Sequence, residues 1–106
     1  MKLPIAVAEY FAAANTDDAD RVAACFAKDA AVHDEGRVIR GSSAVRAWAE
    51  ETRRKYRYQA EVVKVEEKVD RTIVTAHLTG DFPGSPIDLQ YRFKLSDSKI
   101  IALEIG

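Results

Sequence analysis

The chain has 106 residues, of which 47% are hydrophobic and 31% are charged, and its formal net charge is −1. This composition is typical of a globular protein and not of a disordered one. The 16 basic and 17 acidic residues leave no excess of the positive charge that attracts nucleic acid or an anionic membrane. We expect residues 1–106 to form a single domain, because this length suits one hydrophobic core.

The cysteine content and the N-terminal residues indicate where in the cell the protein is expected. Cys25 is the only cysteine, so the fold cannot depend on an internal disulfide. No apolar stretch reaches the length of a membrane span. Residues 1–15 resemble a short signal peptide, but Glu9 interrupts the apolar stretch and favours an amphipathic helix. The sequence therefore predicts a cytoplasmic protein.

Three helices are predicted from the spacing of apolar residues. Residues 4–14 show helical spacing, and Pro4 suits a first turn. Asp17 is expected to cap a second helix that Lys28 closes. The third helix is expected to begin after Gly41, with a serine as its cap, and to run through the basic residues before Tyr58.

From Tyr58 onward the apolar residues alternate, which indicates strands. Short strands are expected at 30–34 and 37–40, before the third helix. The longer strands are expected at 58–68, 71–80, 86–96 and 99–105. Helices that precede hairpin-linked strands predict an α+β fold, in which helices pack on one side of an antiparallel sheet.

Three segments carry a resemblance that covers nearly the whole chain: AVAEYFAAANTDDADRVAACFAKDAAVHD, RGSSAVRAW and YRFKLSDSKIIAL. In element order and in these segments the chain resembles the nuclear transport factor 2-like superfamily, in its SnoaL-like and ketosteroid isomerase-like branch. The resemblance implies a cone-shaped, cystatin-like topology, in which a curved antiparallel sheet wraps around three N-terminal helices and encloses a pocket. One fold hosts many activities, so the reaction does not follow from it.

The first half is especially similar to the ketosteroid isomerases. Tyr10 matches that family's tyrosine, and Asp34 matches its general base, with no gap between them. The family's second aspartate is harder to match. Asp88 lies near the expected place, but strand alternation directs it away from the apolar face, and Leu89 then falls at the aspartate position. The resemblance thus supplies two of the family's three catalytic groups.

For each candidate a structural interpretation stays open. Asp34 shares its strand face with Val32, so it is expected to face the core, where desolvation raises a carboxyl pKa. Otherwise it caps a turn or pairs with Arg37 or Arg40. Tyr10 either donates a hydrogen bond to a substrate oxygen or is an ordinary core tyrosine.

The remaining predicted pocket residues are apolar or aromatic: Val32, Trp48, Tyr58, Leu89, Tyr91 and Phe93. His33 and His77 are expected on the outer face of the sheet, and two isolated histidines lack the spacing of metal ligands. We therefore predict no metal and no cofactor.

Two functions follow from these residues. The first is an isomerase, cyclase or dehydratase that needs no cofactor and acts on a hydrophobic carbonyl compound, with Asp34 as base and Tyr10 as hydrogen-bond donor. The second is a binding or dimerisation module without chemistry. It rests on the missing second carboxylate and on the apolar residues that residues 60–65 present on both strand faces, which also predict a homodimer.

Overall fold

The structure is a computed structural model that describes residues 2–106. Its helices are α1 (Ile5–Asn15), α2 (Ala19–Ala24) and α3 (Ser42–Tyr56), and its strands are β1 (Phe26–Asp34), β2 (Arg37–Arg40), β3 (Gln59–Glu67), β4 (Thr72–Thr79), β5 (Ile87–Ser96) and β6 (Lys99–Ile105). The α+β architecture predicted from the sequence is confirmed. No helix of residues 2–106 is long and apolar enough to cross a membrane.

The strands form one sheet in the order β2-β1-β6-β5-β4-β3, with β2 and β3 at its open edges. Neighbouring strands are antiparallel except β1 and β6, which pair in parallel. No hairpin joins β1 to β6, so no short connection imposes antiparallel pairing on them. Register shifts interrupt three of the pairings, and such bulges bend strands into a curved sheet.

The second helix is shorter than predicted. Asp18, not Asp17, caps it by accepting a hydrogen bond from the backbone of Arg21 at 3.1 Å. The helix ends at Ala24, well before Lys28, because Phe26 already pairs with β6. The prediction failed because Val22, Cys25 and Phe26 fit helical spacing while the partner strand lies some 75 residues away in the chain.

The predicted serine cap of α3 is also wrong. The capping residue is Gly41, whose φ of +91° suits glycine, and no side chain caps the helix. The buried face of α3 consists of Val45, Trp48 and Thr52.

The helices pack on the inner face of the sheet, with α1 against its middle strands and α3 against β1 and β2. Along β4, residues alternate between buried and partly exposed, as one covered sheet face requires. Tyr10 and Phe11 of α1 pack against Tyr91 and Phe93 of β5, with ring centroids 5.0–6.1 Å apart. Helix α1 therefore covers the middle of the sheet, and the end of the sheet beyond it stays open.

Candidate functional site

A cavity of about 360 Å³ lies at the open end of the sheet, under α3 and the β4–β5 loop. Its wall is mostly aromatic and aliphatic, with acidic groups at one side. The lining residues are Tyr10, Asp34, Glu35, Trp48, Thr52, Tyr56, Tyr58, Leu78, Phe82, Pro83, Ile87, Leu89, Tyr91, Ile105 and Gly106. A cavity of this size and character is typical of a site for a small organic molecule.

Asp34 is the last residue of β1 and enters the cavity wall half-buried. The indole Nε1 of Trp48 donates a hydrogen bond to its Oδ2 at 3.0 Å. Burial raises the pKa of Asp34 above its ordinary value, and the bond from Trp48 lowers it in part. The alternative of an ion pair is not realised, because Arg37 instead contacts Glu51 at 3.1 Å, and Asp34 has no salt bridge within residues 2–106. A desolvated carboxyl without a salt bridge accepts a proton more readily than an ordinary aspartate does.

Besides Tyr56, three tyrosines border the same cavity. Burial raises the pKa of Tyr10 well above its ordinary value, and burial also raises the pKa of Tyr58 to about 12. The pKa of Tyr91 is raised for the same reason. The negative charge of Asp34 contributes to each of these increases, and Tyr58 also interacts with Tyr10 through a side-chain hydrogen bond. All three phenols therefore stay protonated and can donate hydrogen bonds in the cavity.

Arg53 holds Tyr58 at the wall. Its Nη1 donates to the backbone oxygens of Ala14 at 2.9 Å and Tyr58 at 2.6 Å, and its guanidinium lies 5.8 Å from the centre of the Tyr58 ring. Asn15 adds two side-chain hydrogen bonds to the backbone of Ala60, at 2.8 and 2.9 Å. These contacts join the end of α1 to the start of β3, so Tyr10 and Tyr58 are positioned together.

Three segments meet at the mouth of the cavity: the turn after β1, the end of α3 and the β4–β5 loop. Tyr56 donates a hydrogen bond to Oε1 of Glu35 at 2.7 Å, and its ring contacts Phe82 edge-on at 5.7 Å. The backbone N–H of Asp81 donates to the carbonyl of Tyr56 at 3.0 Å. Gly80 allows this close approach, since a Cβ there would lie 2.7 Å from the Tyr56 oxygen. The β4–β5 loop is thus fixed against the end of α3.

The structure brings together most of the residues that the sequence singled out. Tyr10, Asp34, Trp48, Tyr58, Leu89 and Tyr91 all border the cavity. Val32 and Phe93 do not border it, contrary to expectation. Both face inward and are completely buried, but they lie in the core, where the Phe93 ring packs 5.5 Å from Tyr10. Facing inward is a property of a strand position, whereas bordering the cavity depends on which helices cover that position.

Asp88 and Leu89 take the orientations that strand alternation predicts. Leu89 borders the cavity. Asp88 lies on the outer face, where its Oδ1 is 2.7 Å from Nδ1 of His77, and His33 is exposed. The cavity therefore lacks a carboxylate at that strand position. Residues 2–106 also hold no cluster of three or more potential metal ligands.

The mouth of the cavity includes residues that the sequence did not indicate. Glu35, Tyr56 and Phe82 were not among the expected lining residues. Helical spacing places Tyr56 on the same apolar face of the third helix as Trp48, which does not by itself mark Tyr56 as a cavity residue. Phe82 lies in the connection between the strands expected at 71–80 and 86–96, just before the turn expected at residues 83–86.

Comparison with known proteins gives one family and a consistent fold. The chain matches the family model described as a SnoaL-like domain over residues 7–102. A protein from Sinorhizobium meliloti, proposed to be a polyketide cyclase, is 38% identical with a TM-score of 0.94, over 98% of this chain and 95% of that one. No curated protein sequence matches this chain.

Two more distant structures support the fold alone. A cystatin-fold protein from Novosphingobium aromaticivorans is 18% identical, with a TM-score of 0.82 over 100% of this chain and 98% of that one. A Catenulispora acidiphila protein with a ketosteroid isomerase-like fold, in complex with trimethylamine, is 17% identical, with a TM-score of 0.87 over 99% of this chain and 86% of that one.

Proposed function

The chain belongs to the SnoaL-like domain family, and on that premise we propose that it is a cytoplasmic, cofactor-independent isomerase, cyclase or dehydratase of a hydrophobic carbonyl compound. The observation that carries the proposal is the half-buried Asp34, without a salt bridge, in an apolar cavity that it shares with protonated tyrosines. The similarity to the Sinorhizobium protein proposed to be a polyketide cyclase supports the same class of chemistry.

Asp34 and Tyr10 divide the reaction between them. Asp34 removes a proton from the carbon next to the carbonyl, and the electron pair of that C–H bond moves to the carbonyl oxygen to form an enolate. Tyr10 donates a hydrogen bond to that oxygen and stabilises its charge. Return of the proton to another carbon completes an isomerisation. Attack of the enolate carbon on a second carbonyl gives a cyclisation, in which the new alkoxide takes the proton back from Asp34. Loss of a neighbouring hydroxyl, which takes that proton and leaves as water, gives a dehydration.

Hydrogen–deuterium exchange tests the first step without knowledge of the product. Wild type in deuterated water is incubated with a panel of cyclic ketones and enones, and exchange beside the carbonyl is followed by NMR. Asp34→Asn should reduce the exchange rate by about 10²-fold or more, the usual contribution of a general base. Asp88→Asn makes the same substitution on the outer face and should leave the rate unchanged. Phenols serve as a binding probe, because their ring oxygen resembles that of an enolate. Wild type that neither exchanges any compound of the panel nor binds phenols would contradict the proposal.

A ligand-binding module without chemistry is the second candidate. The specific observation in its favour is that Asp88 points outward while Leu89 occupies the wall, so a second carboxylate is missing there. Binding of phenols by wild type with no exchange in any ketone would favour this candidate.

The proposal includes a homodimer formed through the outer face of the sheet. Val63 and Ile101 are 43% and 41% exposed, and exposed apolar side chains of this kind favour association. Sedimentation equilibrium is expected to give twice the chain mass. A strict monomer at all concentrations would contradict the dimer and leave the cavity chemistry unaffected.

A further inference from the structure

The charged side chains that line the cavity are all acidic. Asp34 and Glu35 are its charged lining residues, and residues 2–106 contribute no lysine, arginine or histidine to the wall. Glu35 is already matched, because Tyr56 donates to its Oε1 and Nζ of Lys55 lies 3.7 Å from its Oε2. Asp34 has only neutral hydrogen-bond donors, the Trp48 indole and a backbone N–H. The charge of Arg37 lowers the pKa of Asp34 in part, but Arg37 pairs with Glu51, so within residues 2–106 this desolvated carboxylate has no salt bridge of its own.

The surroundings of Asp34 are aromatic. Trp48 contacts it directly, and the tyrosines close enough to feel its charge are Tyr10, Tyr58 and Tyr91. Aromatic rings attract organic cations through their negatively charged faces, and the attraction grows when water is excluded. Arg53 already lies over the Tyr58 ring, and Trp48 and Tyr91 are among the lining rings that no lysine or arginine of residues 2–106 covers.

We propose that this cavity binds organic ammonium ions, small compounds in which a tertiary or quaternary ammonium group carries a short apolar body. The ammonium group lies between the Asp34 carboxylate and the aromatic wall, and the apolar body contacts Leu78, Ile87 and Leu89. Pairing with a cation offsets the cost of desolvating Asp34. This ligand class goes beyond the proposed reaction, because an ammonium ion paired with Asp34 occupies the proton-accepting group and competes with a carbonyl substrate.

Three probes of nearly the same shape separate the effect of ligand charge on affinity from the effect of ligand size. They are choline, its uncharged carbon analogue 3,3-dimethylbutan-1-ol, and the anion 3,3-dimethylbutanoate. Trp48 is the only tryptophan and lies in the wall, so its fluorescence reports occupancy. Choline is expected to bind about tenfold more tightly than the alcohol, and the anion should not bind. Equal affinity for choline and the alcohol, or preference for the anion, would overturn the proposal.

Two matched variants locate the charge that selects the cation. Asp34→Asn should bring the ratio of choline to alcohol affinity close to one, whereas Asp88→Asn on the outer face should keep the wild-type ratio. The wild-type ratio decides the proposal even if Asp34→Asn fails to fold. If wild type catalyses deuterium exchange but does not prefer choline to the alcohol, only this inference is refuted. If wild type prefers choline but neither catalyses exchange nor binds phenols, only the proposed reaction is refuted.

Discussion

Trp48 and Asp34 join the middle of α3 to the end of β1 through a hydrogen bond of 3.0 Å from the indole Nε1 to Oδ2. The two residues lie 14 positions apart, on elements that meet only through tertiary packing. The bond orients the carboxylate in the cavity wall and favours its ionised form. The bond thus opposes, in part, the effect of burial, which makes Asp34 hold its proton more tightly.

Removing the indole donor should raise the pKa of Asp34 further. Trp48→Phe keeps an aromatic ring but removes the hydrogen bond that favours the carboxylate. The change is measured by the pH dependence of the Asp34 carboxyl carbon in NMR, with the resonance assigned by its loss in Asp34→Asn. An unchanged or lowered pKa in Trp48→Phe would show that the indole does not stabilise the charge.

The raised pKa of Asp34 predicts how stability depends on pH. The folded state holds the Asp34 proton more tightly than the unfolded chain does. In the unfolded chain the pKa of Asp34 has its ordinary value of 3.8. The contribution of Asp34 to the free energy of unfolding is therefore fully present below about pH 3.8 and is lost as pH rises through the raised folded value.

Urea unfolding of wild type and Asp34→Asn across this range isolates that contribution. The stability of wild type minus that of the variant should fall as pH rises, and then level off. A difference that grows with pH would mean that folding lowers the pKa of Asp34 instead.

Arg53 should matter far more to stability than its neighbour Arg54. Arg53→Met removes the donor to two backbone oxygens and should cost about 2 kcal/mol in the free energy of unfolding. Arg54 contacts only the exposed Glu50, at 3.2 Å, so Arg54→Met should cost less than about 0.5 kcal/mol. Both are measured by urea unfolding at neutral pH. Equal losses would refute a structural role for Arg53.

Loss of the Arg53 charge should also change the acidity of Tyr58. The guanidinium lowers the pKa of Tyr58, which burial raises to about 12. Arg53→Met should therefore move the ultraviolet titration of Tyr58 to higher pH, and Arg53→Lys should restore part of the shift. The Tyr58→Phe protein identifies the signal. A titration unaffected by Arg53→Met would contradict the assigned contact.

Gly80 should tolerate no side chain. In Gly80→Ala the new Cβ meets backbone atoms of Tyr56, Arg57 and Tyr58 at 2.7–2.9 Å, so the loop and α3 must separate, at about 1–3 kcal/mol. Gly84→Ala is the control. Its new Cβ has no atom within 4 Å, so its strain comes only from the backbone φ of +91°. Amide shifts of residues 56–58 should move only in Gly80→Ala. Unmoved shifts in that variant would contradict the close approach.

Alternation along the strands could be predicted from the sequence because it follows from local backbone geometry. In an extended chain successive side chains point to opposite faces. That rule correctly directs Asp34 inward with Val32, and it directs Asp88 outward while Leu89 faces the cavity. The same rule could not place the start of β1, because Phe26 joins the strand only through pairing with the distant Ile100.

The sequence by itself determined the periodicity of the elements, the family resemblance and the faces on which the candidate residues lie. Only the tertiary structure decided that α1 covers Phe93 but leaves Tyr91 at the cavity, that Trp48 reaches Asp34, and that Tyr56 and Phe82 form the mouth. Periodicity is set by neighbouring residues along the chain. The border of the cavity is set by where separate elements begin, end and pack, and those contacts join residues far apart in sequence.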